Sequence, residues 1–368
     1  MNRPKEIVRI CKILMAALVG ISLTGYAHAE TWTAVTWEKL LDFSSSRKNV
    51  SYEPLTKSRK AWRLCALYPH LKDSYWLSVN YGMVKQAEKL DISLRVYEAG
   101  GYYQLGQQQK QLQACADSKP DAILLGTVSF EGHYDLLEEI SRKTPVIALV
   151  NNIRSDFISA ATGVDWDEMG SRTAQVITQR HPAGTVPVNV SWFPGAGKPG
   201  ISSTKLSAFK SELKKSSANL LNTRYGDTGK LTQLSLIEDE LESETTPAYL
   251  IGTGVSAEAA IGALKVRGLS DEIEVVSGYL THGVFRGIKR GKIIASPTDQ
   301  PVLQGMMAID QSIRLLEGKP YLKHFAPEIQ LVTKGNIAEI DLECSLSPAS
   351  FSPTYMVDAK RNEENKSN

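Results

Sequence analysis

The chain has 368 residues, of which 42 are Lys or Arg and 40 are Asp or Glu. Residues 1–29 hold four of the former and one of the latter, so the remainder carries 38 basic against 39 acidic groups and lacks the basic stripe that counterion release on nucleic acid requires. That remainder is long enough for two domains of ordinary size.

At the N-terminus, Arg3, Lys5, Arg9 and Lys12 lead into an apolar run from Ile13 to Gly25. Ala27-His28-Ala29 then places small residues at the −3 and −1 positions of a cleavage site. The run is right for the core of a signal peptide and too short to span a bilayer comfortably. Residues 1–29 are therefore expected to be removed on export to the periplasm. An uncleaved anchor and a buried helix are the competing readings, and the small-residue site argues against the helix. Cys11 leaves with the signal, so Cys65, Cys115 and Cys344 remain in an oxidising compartment that permits one disulfide. Cys65 falls in an expected strand and Cys115 in an expected helix of the same lobe, which makes them the preferred pair. Three buried free thiols are the alternative.

Residues 31–60 show no sustained period and are expected as an extension laid over one lobe. From Ala61, short apolar runs alternate with amphipathic ones. Strands are expected at Ala61–Leu67, Ser93–Ala99, Ala122–Gly126 and Val146–Val150. Helices are expected at Tyr75–Leu90, capped by Asp73 or Ser74, at Gln104–Asp117 and at His133–Arg142. The pattern repeats with helices at Met169–Gln179, Thr204–Lys214, Leu231–Leu241, Ser256–Val266 and His282–Arg290. The strands among them are Val188–Phe193, Ala248–Ile251, Glu274–Gly278 and Ile293–Ser296. A long helix at Val302–Glu317 stops at Gly318, and Ile329–Val332 reads as a last strand. This alternation implies right-handed βαβ units, hence α/β architecture with two doubly wound parallel-sheet lobes. Residues 358–368 are charged and Asn-rich, and disorder is expected there.

Catalytic signatures fail in turn. Gly195-Ala-Gly-Lys198 looks like a phosphate loop, but Pro199 stands where a Ser or Thr would hold the metal, and Trp192 occupies the upstream glycine position. No Gly-x-Ser-x-Gly elbow occurs, and His70, His133, His181, His282 and His324 lie far apart, without zinc-ligand spacing. No enzyme activity, metal or cofactor is implied. The aromatic residues are more informative. In an open parallel sheet, ligands sit beyond the carboxyl ends of the strands. Tyr75 and Trp76 follow the first such strand, and Tyr102 and Tyr103 the second. Trp166 follows Thr162–Val164, Trp192 and Phe193 end the next strand, and Tyr279 follows Ser277-Gly278. Rings lining a cleft stack on sugars or attract methylated cationic nitrogens, and rings that merely pack loops are the bland alternative.

Several segments carry a resemblance: RKAWRLCALYPHLKDSYWLSVNYGM (59–83), YEAGGYYQL (97–105), DAILLGT (121–127), GVDWDEMG (163–170), GYLTHGVFRGIKRGKIIASPTDQPVLQG (278–305) and SLSPASFSPTY (345–355). From about Ala61 to Tyr355 the chain resembles the type I periplasmic-binding-protein family, in particular members that bind trimethylamine N-oxide (TMAO) and act on a membrane sensor histidine kinase. The resemblance implies three strands crossing between lobes, near 163–165, 298–300 and 327–329. Lobe I would comprise 61–164 plus 300–328, and lobe II 165–299 plus 329–357. It implies Tyr75, Trp76, Trp166 and Tyr279 as cage walls, Asp73 and Tyr102 as near neighbours, and Asp299 as a hinge residue near the ligand. Asp73 would favour the positive nitrogen or simply cap its helix. The partners implied are a small molecule and the periplasmic domain of the kinase, with neither nucleic acid nor membrane insertion after signal cleavage. Asp165 departs from the family pattern, where an apolar residue or proline is expected, and would shift the Trp166 wall. The loop from Gly195 to Ser203, Cys344 and the tail are also individual. Two further classes stay in play. A solute receptor for a sugar-type ligand feeding an importer could use Asp73, Asn151, Asn152, Asp165 and Asp299 on hydroxyls. An extracytoplasmic enzyme has only the support that two-lobed clefts can hold active sites.

Overall fold

Runs such as 64–68, Ala122–Leu125 and Val146–Val150 are buried at every position, the condition of strands covered by helices on both faces. The structure, a computed structural model, describes residues 31–360 apart from 155 and 198–200. The signal peptide read at residues 1–29 and the tail beyond residue 360 lie outside the described residues. The chain opens with β1 (Trp32–Trp37) and β2 (Arg47–Tyr52), followed by β3 (Arg63–Tyr68), α1 (Ser74–Leu90), β4 (Ser93–Glu98), α2 (Leu105–Asp117), β5 (Ala122–Leu125), α3 (Tyr134–Ser141), β6 (Val146–Val150) and β7 (Ala160–Gly163). A second series runs α4 (Trp166–Arg180), β8 (Val188–Gly195), α5 (Ile201–Leu213), β9 (Ala218–Tyr225), α6 (Lys230–Leu241), β10 (Tyr249–Gly252), α7 (Gly254–Arg267), β11 (Glu274–Ser277), α8 (His282–Lys289) and β12 (Ala295–Thr298). The chain then continues through α9 (Pro301–Leu316), β13 (His324–Pro327), β14 (Gln330–Thr333) and a last short strand, β15 (Met356–Val357).

Two doubly wound lobes result. The first has the strand order β15-β4-β3-β5-β6-β7-β13-β1-β2, with the six strands from β4 to β13 mutually parallel and antiparallel strands at both edges. Leu64, Ala66, Leu124 and Ile147 face α1 and α9, whereas Cys65, Leu67, Ile123 and Ala148 face α2 and α3. This is the period-two alternation of a strand read out on two helical layers. The second sheet, β9-β8-β10-β11, is wholly parallel, with α4 and α5 on one face and α6, α7 and α8 on the other. Three links join the two: residues 164–165 from β7 to α4, 299–300 from β12 to α9, and 328–329 from β13 to β14. The β12 and β14 strands pair antiparallel beside the second sheet. Where α1 crosses α9, a Cβ on Gly82 would lie 1.9 Å from the Val302 carbonyl oxygen, so only glycine permits that approach.

The ends of the chain differ from expectation. Instead of a loose extension, β1 and β2 form an antiparallel hairpin that adds to the first sheet through β13. Its anchor is Asp310 of α9, a fully buried carboxylate that accepts from the Tyr52 hydroxyl, from Leu55 N at 2.7 Å, from Gln86 Nε2 at 3.2 Å and from Arg314 Nε at 2.9 Å. The strand β9 was also not foreseen. It is a half-buried edge strand in which Asn219, Asn222 and Arg224 break up the apolar run. The C-terminal stretch does not stay with the second lobe through residue 357. Asn80 clamps Thr354 by donating to its carbonyl and accepting from its N–H, both at 2.9 Å, and β15 then pairs with β4. Of the expected disordered tail, residues 358–360 continue along the first lobe, with Ala359 N donating to Ser93 Oγ and Lys360 N to Asp91 Oδ1.

Cys65 of β3 and Cys115 of α2 are disulfide-bonded across a Cα separation of 6.2 Å, and Cys344 is a free thiol that donates to Asp341. Peptide mapping of the unreduced protein should recover the 65–115 linkage with Cys344 free. The chain-entropy ceiling on the bridge's contribution, for its separation of 50 residues, is about 4 kcal/mol. Recovery of all three as thiols from periplasmic material would count against the linkage. Replacing Asp310 by Ala should cost about 3–5 kcal/mol, because Arg314, Tyr52 and Gln86 lose a shared buried acceptor. Chemical denaturation measures the loss, and hydrogen exchange should show it concentrated in residues 47–55.

Candidate ligand-binding site

In the first sheet the chain winds from β3 outward to β4 and then crosses back to β5, so the helices after β3 and β5 leave on opposite faces and open a crevice at the carboxyl ends. The second sheet reverses in the same way between β8 and β10. The loops at these two reversals meet around a cavity of about 70 Å³. From the first lobe it is lined by Asp73, Tyr75, Trp76, Tyr102, Phe130 and Asn152. From the second come Trp166, Ala196, Lys205, Thr228, Thr253 and Tyr279. Thus Asp73, Tyr75, Trp76, Tyr102, Trp166 and Tyr279, singled out from sequence, all stand on one wall system. Asp299 does not line this cavity. It lies in an adjoining polar cavity at the three links, beside Asp165, Glu168, Gln304 and Glu328.

Each ring is held by a local cause. Asp73 rather than Ser74 caps α1, with Oδ1 accepting from Trp76 N at 3.2 Å, and this starts the helix with Tyr75 and Trp76 turned inward. The Trp76 ring packs tilted on Tyr68 at 5.5 Å between centroids, and its Nε1 donates to the Tyr102 hydroxyl at 3.2 Å. A Cβ on Gly126, just after β5, would lie 2.6 Å from Trp76 Cη2, so the indole depends on a glycine there. Tyr75 meets Tyr279 edge-to-face at 5.3 Å and donates to Asp299 Oδ2 at 2.6 Å. Tyr279 in turn donates to Asp73 Oδ2 at 3.2 Å, across the cleft. Asp165 directly precedes Trp166. It caps α4, with Oδ1 accepting from Glu168 N at 3.0 Å, and so fixes Trp166 as the first helical residue.

The electrostatics follow from burial. Desolvation raises the phenols of Tyr75, Tyr102 and Tyr279 well above their ordinary range, so they remain hydrogen-bond donors. Desolvation also pushes Asp299 up to about 6, with the Tyr75 hydroxyl and the Lys205 charge working in the opposite direction. Lys205 was missed from sequence, where a helical lysine reads as solvated. Its position four residues before Phe209, itself four before Leu213, puts it on the buried stripe of α5, and that was the available signal. Burial pushes its ammonium down to about 7. Nζ donates to the Gly278 carbonyl at 2.6 Å and lies 5.5 Å from the Trp166 ring centroid and 5.6 Å from that of Tyr279. Phe130, Thr228 and Thr253 also escaped sequence reading, being loop residues without periodicity, and Asn152 was named only as a hydroxyl partner in the sugar-receptor reading. Trp192, flagged at a strand end, is instead a core residue stacked on Phe209 at 4.3 Å. Two polar atoms of cavity residues, Trp166 Nε1 and Asn152 Oδ1, are buried without a protein partner.

The cleft rim is stitched across both lobes. His70 Nε2 meets Thr228 Oγ1 at 2.9 Å, His282 N donates to Ser74 Oγ at 3.2 Å, and Lys72 lies 3.9 Å from Asp227. The arrangement is a closed cleft between two α/β lobes, with aromatic walls, several phenolic donors, one carboxylate and one ammonium.

Comparison with known proteins agrees with this architecture. Residues 61–351 match the family described as periplasmic binding proteins and sugar binding domain of LacI family. The periplasmic protein TorT of Escherichia coli (strain K12) is 39% identical over 301 residues, covering 81% of this chain and 86% of TorT. An ABC transporter solute binding protein from Bradyrhizobium sp. BTAi1, solved with bound bis-tris, superposes with a TM-score of 0.77 at 39% identity, covering 89% of this chain and 99% of that one. The complex of the TorS sensor domain with TorT, solved without ligand, gives a TM-score of 0.74 at 37% identity, covering 80% of this chain and 99% of the other. The same complex in the presence of TMAO gives 0.73 at 36%, covering 79% and 99%. The chain belongs to the family of periplasmic binding proteins and LacI-type sugar-binding domains.

Proposed function

We propose that this chain is a periplasmic receptor that closes on trimethylamine N-oxide and presents its closed form to the periplasmic domain of a TorS-like sensor histidine kinase. The observation that carries the reading is the match between the cavity and the chemistry of that ligand. The cavity is small, about 70 Å³, and suits a ligand of few heavy atoms. TMAO has about five, three of them methyls on a positively polarised nitrogen that suits aromatic faces, and an oxide that needs strong donors. Likeness to TorT along most of the chain supports the choice of ligand and partner. In this reading Asp73, Tyr75, Trp76, Tyr102, Trp166 and Tyr279 contact the ligand. Asp299 acts at one remove by orienting Tyr75, and the lobes close about the links at 164–165, 299–300 and 328–329.

A second reading, a solute receptor feeding an importer, draws on the equally strong likeness to the Bradyrhizobium solute binding protein. Pull-down with the sensor domain of the cognate kinase separates the two. Retention of the kinase domain, changed in extent by TMAO, is the expected result. No retention with or without TMAO would favour the importer.

The cage generates a sharper expectation. Trp76→Ala and Trp166→Ala each remove one ring face, and a desolvated cation–π contact is worth about 2 kcal/mol, or on the order of 30-fold in affinity. Calorimetry with TMAO on the folded variants should show losses of that size, with Trp→Phe milder. Replacing the exposed Tyr134, outside the cleft, should leave affinity unchanged. Unchanged affinity in both alanine variants would remove these tryptophans from the site.

A further inference from the structure

Lys205 adds a charge to the cleft that an aromatic cage for a methylated cation does not need. Its side chain lines the cavity, and the residue is only 5% exposed. A buried ammonium has three N–H donors, and unpaired donors in a low-dielectric site are costly. One N–H of Lys205 is taken by the Gly278 carbonyl at 2.6 Å. The remaining two have no acceptor among the described residues, while the rings of Trp166 and Tyr279 flank Nζ at 5.5 and 5.6 Å. Asp73 belongs to the first lobe, at the start of α1, and Lys205 to the second, on α5. The cavity lining therefore carries one acidic and one basic group, each delivered by a different lobe, and the Lys205 charge also interacts with Asp299 on the link behind Tyr75. Trp166 Nε1, buried without a protein partner, adds a second donor on the Lys205 side.

We infer that Lys205 is the specificity determinant of this cleft, taking the anionic pole of a compact methylated zwitterion while the rings and Asp73 take its cationic pole, so that amine oxides are bound and bare quaternary cations are rejected. The inference rests on the proposed reading of the cleft as a methylated-amine receptor and deepens it. A cation without an anionic pole disfavours the ammonium form of Lys205 and leaves the Lys205 and Trp166 donors unpaired. An amine oxide pairs those donors and engages both lobes at once, which is the condition for a ligand to favour the closed form.

Tetramethylammonium is the discriminating probe, because it replaces the oxide of TMAO by a methyl group and is otherwise nearly isosteric. Calorimetry on the full-length mature protein should show TMAO binding at least about 30-fold tighter than tetramethylammonium, the size of one charge-assisted hydrogen bond. In Lys205→Met, which keeps length and removes charge, TMAO should weaken by a similar factor and tetramethylammonium should bind as well as before or better. Lys205→Gln, which retains a neutral donor, should fall between. Thermal melting of each variant confirms folding, and removal of a buried charge is not expected to lower the melting temperature. Three results would overturn the inference: unchanged TMAO affinity in Lys205→Met, an unchanged ratio between the two probes, or tighter TMAO binding, which would make Lys205 a plug in the cage. If the wild type binds neither probe, the receptor reading falls with it. If Trp76→Ala and Trp166→Ala lose TMAO while Lys205→Met keeps it, the cage stands and only the role of Lys205 is lost.

Discussion

Asp73 turns its two carboxylate oxygens in opposite directions. Oδ1 accepts from Trp76 N and caps α1, and Oδ2 accepts from the hydroxyl of Tyr279, which stands on the loop after β11 in the other lobe. A carboxylate at a helix N-terminus is favoured by the exposed N–H groups and the helix dipole. The same group therefore frames the first lobe and fastens the second to it. Tyr75, two residues on, repeats the device by reaching Asp299 on the link between β12 and α9. The start of one helix thereby fixes both the aromatic walls and the contacts that bridge the lobes. Moving the cap by one residue would rotate Tyr75 and Trp76 by about 100° around the axis and dismantle both.

Most of this was legible because the fold is parallel. Parallel strands are buried on both faces and read as short continuous apolar runs, and their carboxyl ends mark where a ligand sits. Once β3, β4 and β11 could be placed, Tyr75, Trp76, Tyr102 and Tyr279 fell at strand tips without any knowledge of side-chain packing. The same logic explains what was lost. The β2 and β9 strands lie at or near sheet edges, where half-exposure admits residues such as Arg47, Lys48 and Asn222 and erases the run. Tertiary pairing, not local propensity, makes them strands.

The site residues that escaped were of two kinds. Phe130, Thr228 and Thr253 come from loops, and their convergence depends on how the two sheets face each other, which no local spacing encodes. Lys205 was hidden by the reasonable prior that lysines on amphipathic helices are solvated. Its position in register with Phe209 and Leu213 contradicted that prior. Asp165 is the opposite case, expected from the resemblance to depart from the family pattern and seen in the structure as a helix cap. Departures of this sort gain meaning only when the hydrogen bond they make can be seen.

Closure must be driven by what a ligand adds to contacts the protein already makes. His70–Thr228, Ser74–His282 and Asp73–Tyr279 bridge the cleft through protein groups alone, so they favour closing whatever occupies the site. Against them stand Trp166 Nε1 and Asn152 Oδ1, which are buried without protein partners in this arrangement. Each unsatisfied buried group costs about 1–3 kcal/mol. Two of them, plus the spare donors of Lys205, oppose closure by an amount comparable to the roughly 5.5 kcal/mol that carries a two-state equilibrium from 1:99 to 99:1. A ligand oxygen that accepts from Trp166 and Lys205 removes the donors' share of that opposition, and a ligand that merely fills the cavity does not. In the proposed reading, the selectivity therefore resides in the donors of Trp166 and Lys205 on the second lobe, while the rings supply affinity to a small onium.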